Sequence, residues 1–164
     1  MKKESTSERL NRSSYIFLNL TSSVLSADIE HLCSEEGLTE AHFRILWVLC
    51  RESSEEGRAM GEIADGLINR AADVTRLVDK MEKIGLVIRE RAPEDGRRIV
   101  ARATPQGQKI FMRLSNKIQN VHVSQWVSLT QNEQRQLVQL LNKVLTSRAS
   151  TSTEESWLLR KRIK

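Results

Sequence analysis

A short run in the middle of the chain combines an apolar stripe at helical spacing with a polar, mostly cationic opposite face. The stripe, predicted to turn inward, consists of Val74, Leu77, Val78, Met81 and Ile84. The opposite face consists of Arg70, Ala72, Asp73, Thr75, Arg76, Lys80 and Lys83. Guanidinium, ammonium and hydroxyl groups on one helix face could bind the phosphates and base edges of duplex DNA. An ordinary solvent-exposed helix shows the same pattern, so this pattern alone does not distinguish a DNA-binding helix from a surface helix.

A tight turn farther along the chain holds two more guanidinium groups. Asp95-Gly96-Arg97-Arg98 can place Arg97 and Arg98 in an adjacent minor groove or against phosphate. Asp95 can orient the Arg97 guanidinium through a hydrogen-bonded ion pair. An ordinary charged surface turn is the alternative. Together, helix and turn predict DNA contacts at Arg70, Ala72, Asp73, Thr75, Arg76, Lys80, Asp95, Arg97 and Arg98.

Other chemistries find little support in the sequence. No Ser/His/Asp arrangement, Gly-rich phosphate loop or paired carboxylates in an identifiable cleft is present, so we expect neither an enzyme nor a cofactor. His31 and Cys33 point to different faces of a predicted helix, and no second pair completes four metal ligands. Cys33 and Cys50 fall inside apolar helical patterns, which favours buried thiols over redox sensors.

The segments around the cationic face predict the elements that position it. A short stripe at Ile63, Ala64 and Leu67 predicts one helix before the cationic helix, joined to it by a tight turn. Gly85 ends the cationic helix, and the β-rich residues that follow can pair across the turn with a strand from Arg98 to Ala103. The order helix, helix, hairpin is that of a winged helix-turn-helix.

Longer helical patterns flank this centre. The first ends near Gly37, and Thr39 then caps a second helix, with Leu38 and Phe43 placed as a hydrophobic staple. A polar loop is predicted over 51–58. Thr104-Pro105 starts a third long helix, and a capping box at Thr130 and Glu133 starts the last one.

These elements predict one mainly α domain with a small β-hairpin wing. The domain spans residues 1–147, with a reading head at about 58–104 and dimerisation helices at about 12–36 and 105–147. Residues 148–164 are expected to form a flexible basic tail. The terminal helices carry more apolar stripe than one small winged domain can cover, which predicts a homodimer.

The charge balance supports a polyanionic partner. The chain has 26 Lys and Arg against 21 Asp and Glu, a formal charge of +5 and a pI near 9.5. The excess of basic residues lies in the middle of the chain. Residues 69–102 hold nine basic and six acidic side chains, whereas residues 23–56 hold two basic and eight acidic ones. No apolar run could span a bilayer and the start lacks a signal peptide, so we expect a cytoplasmic protein without a membrane partner.

The sequence resembles the multiple antibiotic resistance regulators, usually written MarR. The segments "GLTEAHFRILWVL", "GEIADGL", "DVTRLVDKMEKIGLVIR" and "DGRRIVARATPQG" occur in the family's order and spacing, and the resemblance covers about residues 15–145. It implies a dimeric winged helix in which the terminal helices form the dimer interface. By position it implies that Thr75 and Arg76 contact DNA, that Arg97 is the wing-tip arginine, and that Asp95 is its acidic partner.

The resemblance also bears on regulation. Family members bind small phenolic or aromatic acids between the dimerisation helices and the reading head, which points here to His42, Arg44 and Trp47. Core packing for Trp47 and surface positions for His42 and Arg44 are the alternative. The chain departs from the family at Arg70 and Ala72, where hydroxyl residues are common, and it lacks the reactive cysteine of peroxide-sensing members.

We therefore predict a homodimeric transcriptional regulator, acting as a repressor that binds a pseudo-palindromic operator and is released by an effector. Activation by displacing another DNA-coating protein is equally compatible. A winged-helix module that binds protein instead of DNA is the rival, and it would need an exposed apolar patch rather than the arginines.

Overall fold

The computed structural model describes residues 5–51, 57–67, 73–92 and 98–149, with the side chains of 148 and 149 excepted. The described part is mainly helical and carries one small antiparallel sheet, which confirms the predicted fold class. Its elements in chain order are α1 Thr6–Ser34, α2 Glu40–Arg51, β1 Arg58–Ala59, α3 Met60–Gly66, α4 Val74–Lys83, β2 Val87–Arg91, β3 Ile99–Ala103, α5 Pro105–Gln125 and α6 Gln131–Ala149. The chain divides into two compact units, residues 1–121 and 122–164, which are described separately.

Helix α1 begins earlier than the predicted position near residue 12. The Ser5 hydroxyl accepts a hydrogen bond from the Glu8 N–H at 3.2 Å, and the Ser5 N–H donates to the Glu8 carboxylate at 2.7 Å. This reciprocal capping satisfies two N–H groups that a helix start otherwise leaves without partners. Gly37 follows the helix with φ of 68°, as expected for the residue that turns the chain away.

Helix α2 begins with two independent caps. The Thr39 hydroxyl accepts from the His42 N–H at 3.4 Å, and the Thr39 N–H donates to His42 Nδ1 at 3.0 Å. His42 thus occupies the third helical position, where Glu or Gln closes the usual capping box. The Glu30 carboxylate of α1 accepts from the Glu40 N–H at 2.6 Å, which fixes the start of α2 against α1.

The sheet has the strand order β1-β3-β2, and both pairings are antiparallel. Strand β1 begins at the last residue of the segment predicted as a polar loop, and pairs Arg58 with Ala101 and Ala59 with Val100. Two residues are too few to show the alternation that predicts a strand. Strands β2 and β3 form the predicted hairpin.

The core of the first unit lies where α2, α3, α4 and the sheet meet. Its fully buried members include Ile45, Leu46, Ile63, Val78, Met81, Val87 and Ala101. The prediction that Ile84 turns inward is wrong, because α4 ends at Lys83 and Ile84 is 44% exposed. Gly85 then adopts φ of 75° and redirects the chain, so helical spacing no longer applies at that position.

The start of α5 is fixed by two contacts with the segment before β2. Thr104 Oγ1 donates to the Gly85 carbonyl at 2.7 Å and accepts from the Gly107 N–H at 3.0 Å, confirming the predicted cap. A Cβ on Gly107 would lie 2.2 Å from the Leu86 carbonyl oxygen, so glycine alone fits that close approach.

The second unit contains the end of α5 and α6. The Thr130 N–H donates to the Glu133 carboxylate at 2.8 Å and the Glu133 N–H donates to Thr130 Oγ1 at 3.4 Å, which is the predicted capping box. Helix α6 exposes the apolar residues Val138, Leu140, Val144 and Leu145. The proposed tail from residue 150 lies outside the described residues. No described helix combines the length and hydropathy needed to cross a bilayer.

Candidate nucleic-acid interface

Helix α4 begins at an aspartate that caps it. Asp73 has a non-helical backbone, with φ of −70° and ψ of 85°, and its carboxylate accepts a hydrogen bond from the Arg76 N–H at 3.1 Å. A carboxylate there also interacts favourably with the positive end of the helix dipole. Asp73 therefore caps the helix, and its predicted contact with DNA stays a prediction.

The polar side of α4 is exposed as predicted. Val74, Val78 and Met81 are buried, and the exposed residues of the helix are Thr75, Arg76, Lys80 and Lys83. With about 100° of rotation per residue, the three cations lie within about 60° of one another around the helix axis. Thr75 and Arg76 lie in the first turn, and Lys83 is the last helical residue.

Two acidic residues of α4 are bound by an arginine from the neighbouring strand. Arg89 of β2 donates to Glu82 from its backbone N–H at 3.1 Å, from Nε at 3.0 Å and from Nη2 at 2.7 Å. Arg89 Nη2 also donates to the Asp79 carboxylate. The hydrogen bonds from Arg89 lower the pKa of Glu82, and the same bonds raise the pKa of Arg89.

The cluster of Arg89, Asp79 and Glu82 was not predicted from the sequence. The sequence does contain a signal for this cluster. Arg89 lies two residues after the apolar Val87, so the two side chains face the same side of the sheet. An arginine on a sheet face that packs on a helix needs acidic partners, and α4 supplies two.

Arg98, predicted as a DNA contact, has a partner on α3. Its Nη2 donates to Glu62 Oε2 at 3.1 Å, and the same carboxylate oxygen accepts from the Ala59 N–H at 2.7 Å. Both side chains are about half exposed. The residue just before β3 is thereby tied to the helix that precedes α4.

Four predicted DNA contacts fall outside the described residues: Arg70, Ala72, Asp95 and Arg97. They stay predictions. The described part of the predicted set comprises Asp73, Thr75, Arg76, Lys80 and Arg98, of which the first caps α4 and the last binds Glu62.

The predicted effector residues lie on different sides of α2. His42 is 2% exposed, contrary to the expected surface position, and its Nε2 has no hydrogen-bond partner among the described residues. Arg44 is paired with Glu40 one turn away. Trp47 is 39% exposed, so it is not core filler, and the Arg51 guanidinium lies 4.8 Å from its ring. As a set, the three stay predicted effector contacts.

The buried imidazole is held in its neutral form. Burial lowers the pKa of His42, and the positive charge of Lys80 lowers it further, whereas the charge of Glu30 opposes this. Because His42 Nδ1 accepts from the Thr39 N–H, the proton of the neutral ring resides on Nε2. The α2 start is thus built on a histidine that resists protonation.

A cavity of about 460 Å³ lies between the end of α2, the sheet and the first half of α5. Its lining consists of Leu49, Cys50, Gly57, Arg58, Ala101, Arg102, Ala103, Gln108, Phe111 and Met112. Guanidinium groups therefore border a largely apolar space, with Glu90 paired to Arg102. Burial raises the pKa of the Cys50 thiol to about 11, so the thiol in this cavity is protonated at neutral pH. Within the described ranges, no three His, Cys, Asp or Glu side chains cluster as metal ligands would.

Comparison with known proteins agrees with this arrangement. Residues 36–98 match the model of the MarR family. The chain is 28% identical over 113 residues to the uncharacterized HTH-type transcriptional regulator YkoM of Bacillus subtilis. The aligned residues cover 66% of this chain and 69% of YkoM.

Two crystal structures share the fold at low sequence identity. One is a MarR variant from E. coli complexed with operator DNA, with a TM-score of 0.72 and 21% identity over 87% of this chain and 99% of that chain. The other is CouR from Rhodococcus jostii bound to p-coumaroyl-CoA, with a TM-score of 0.69 and 18% identity over 87% of this chain and 95% of that chain.

Proposed function

We propose that the chain, whose residues 36–98 match the MarR family model, is a homodimeric, sequence-specific DNA-binding transcriptional regulator of the cytoplasm rather than an enzyme. The observation that carries this proposal is the exposed face of α4, which consists of Thr75, Arg76, Lys80 and Lys83. A duplex major groove accepts one α-helix with such a face.

Each side chain of this face has a proposed role. Thr75 and Arg76 lie in the first turn of α4, the end of a recognition helix that contacts base edges. Lys80 and Lys83 lie farther along and suit phosphates. Arg97 stays the predicted contact of the wing with the minor groove or the backbone.

A homodimer is proposed from the exposed apolar side of α1. Leu10, Phe17 and Val24 recur every seven residues, so they lie along one side of the helix, and they are 67%, 68% and 65% exposed. A stripe of this kind is costly to leave in water and is covered when a second copy packs on it. Helices 12–36 and 105–147 are the proposed dimerisation elements. Two-fold symmetry then requires a pseudo-palindromic operator with half-sites about one helical turn apart.

Control by a small aromatic or phenolic acid is proposed as the regulatory step. CouR, which shares the fold, was crystallised with p-coumaroyl-CoA. Here the 460 Å³ cavity has the size of a small-molecule site, an aromatic wall at Phe111 and cationic groups at Arg58 and Arg102. The cavity is therefore a second candidate effector site, beside the predicted one at His42, Arg44 and Trp47. A ligand that binds one arrangement of the dimer better than the other shifts the population away from DNA and relieves repression.

Selection of bound fragments from the source genome tests the proposal. Purified protein is expected to enrich fragments that share a pseudo-palindrome, whereas Arg76→Ala protein does not. Lys109→Ala removes the same charge from an exposed position on α5, outside the helix-turn-helix, and is expected to enrich the same fragments as the unaltered protein. Random recovery by the unaltered protein would favour the rival function, a winged-helix module that binds protein.

A further inference from the structure

We propose that Arg89 is a positioning residue that holds the β2–β3 hairpin against α4 and so sets where the wing meets DNA. The inference rests on the proposed DNA-binding function, which it deepens by naming a residue that acts through others. None of the DNA contacts predicted from the sequence includes Arg89.

The geometry of Arg89 is that of a joint between two elements. Strand β2 lies at the edge of the sheet, next to β3 alone among the described strands. The Arg89 N–H is bound by the Glu82 carboxylate instead of remaining on the open edge. Nε and Nη2 of the same residue bind that carboxylate again, at 3.0 and 2.7 Å, and Nη2 also reaches Asp79. Four hydrogen bonds therefore connect one strand residue to two successive turns of α4.

The planar fork of arginine is needed for this arrangement. Nε and Nη2 lie side by side and both donate to Glu82 Oε2, while Nη2 also reaches Asp79. A lysine ammonium at the same position would keep the charge but could not span both carboxylates in a fixed orientation. The joint thus depends on the shape of the side chain as well as on its charge.

The joint also lies at the DNA-facing side of α4. Asp79 is one helical turn from both Thr75 and Lys83, so its carboxylate lies among the groups proposed to meet DNA. Arg89 binds the two α4 carboxylates that would otherwise repel phosphates. Removal of the Glu82 charge therefore distinguishes two mechanisms. If Glu82 acts only by repelling phosphates, DNA binding should improve, whereas if Glu82 positions the hairpin through Arg89, DNA binding should weaken.

The hairpin has other attachments, so loss of Arg89 is not expected to unfold the protein. Val87 and Ala101 are fully buried, and Arg98 remains bound to Glu62. The expected consequence is a folded head with a hairpin that no longer holds one orientation relative to α4.

The test compares Arg89→Ala, Arg89→Lys, Glu82→Ala and the double variant Arg89→Ala/Glu82→Ala in operator binding. We expect each single variant to lose at least tenfold in operator affinity. Arg89→Lys and Glu82→Ala should change the affinity for unrelated duplex less than threefold, because neither removes a positive charge. The double variant should lose no more than Arg89→Ala, because both changes break the same joint. Arg91→Ala removes the same charge from the same strand and is expected to weaken operator and unrelated duplex alike. Operator binding by Glu82→Ala that equals or exceeds that of the unaltered protein would overturn the proposal.

Amide hydrogen exchange provides a readout that needs no DNA. In Arg89→Ala, exchange over 87–91 and 99–103 is expected to rise at least tenfold, with exchange over α2 unchanged. Unchanged exchange in the hairpin would contradict the joint. If the unaltered protein binds no duplex at all, the proposed function fails, and the exchange result still decides whether Arg89 holds the hairpin.

Discussion

Arg98 Nη2 lies 3.1 Å from Glu62 Oε2, which joins the residue before β3 to helix α3. Arg89 joins β2 to α4 in the same way. The two strands of the hairpin are therefore each tied by one arginine to one helix of the helix-turn-helix. Both ties therefore lie between parts of the molecule that we propose contact the same duplex.

The pairing of Arg98 with Glu62 predicts competition with phosphate. We expect Glu62→Gln to increase affinity for duplex DNA about two- to fivefold, because exposed ion pairs are worth about 0.2 to 1 kcal/mol and Arg98 becomes available to phosphate. Glutamine keeps an oxygen that can accept from the Ala59 N–H, so α3 retains its start. Fluorescence anisotropy with a labelled duplex measures the change. In an Arg98→Ala background, Glu62→Gln should lose most of this gain, and an equal gain there would argue against the competition.

The apolar side of α1 predicts that Phe17→Glu dissociates the proposed dimer. A carboxylate placed in that stripe would have to be buried without a partner, so we expect the dimer dissociation constant to rise at least about 100-fold, roughly 3 kcal/mol. Light scattering after gel filtration should give twice the 18.8 kDa chain mass for the unaltered protein and the single-chain mass for the variant. Asn19→Glu, on the opposite side of α1, should remain dimeric. An unaltered protein that is monomeric at micromolar concentration would refute this assignment of the stripe.

His42 predicts a pH dependence of stability. Burial lowers the folded-state pKa of His42 below the 6.5 of an ordinary histidine, so the unfolded chain binds the proton more readily. Stability should therefore fall as the pH drops below about 6.5 toward the lowered pKa, with a contribution of at most about 1.4 kcal/mol per pH unit from this one group.

His42→Gln is the matched variant for that prediction. Glutamine at the third position of α2 can still accept from the Thr39 N–H, so the cap remains while the titrating group is removed. Urea unfolding at pH 7.5 and 5.5 should show a smaller pH effect in the variant than in the unaltered protein. Parallel losses of stability in the two proteins would show that His42 is not responsible.

The sequence predicted the helices because their signals are local. Capping residues such as Thr39, Thr104 and Thr130 mark helix starts through their own side chains, and each makes the expected hydrogen bond. The hairpin was equally predictable from the sequence, since its strands are adjacent in the chain and joined by turn residues. Strand β1 was not, because Arg58 and Ala59 become a strand only by pairing with β3, some forty residues away.

The side chains of the candidate site were less predictable than its elements. Exposure of Arg76 and Lys80 follows from helical spacing, which the sequence contains. The choice of ion-pair partner does not follow from spacing, because Arg89 and Arg98 bind carboxylates 7 and 36 residues away in the chain. His42 was expected at the surface because its role as a cap depends on how α2 meets α1 and α4, which spacing alone does not specify.

The salt dependence of duplex binding tests the central claim most directly. Affinity measured between about 50 and 300 mM salt should give a steep negative slope of log affinity against log salt. Lys80→Ala should reduce that slope by about two, one for each copy in the dimer, while Lys109→Ala leaves it unchanged. A protein that binds no duplex at low ionic strength, or a Lys80→Ala line parallel to that of the unaltered protein, would contradict the claim that this face of α4 contacts DNA.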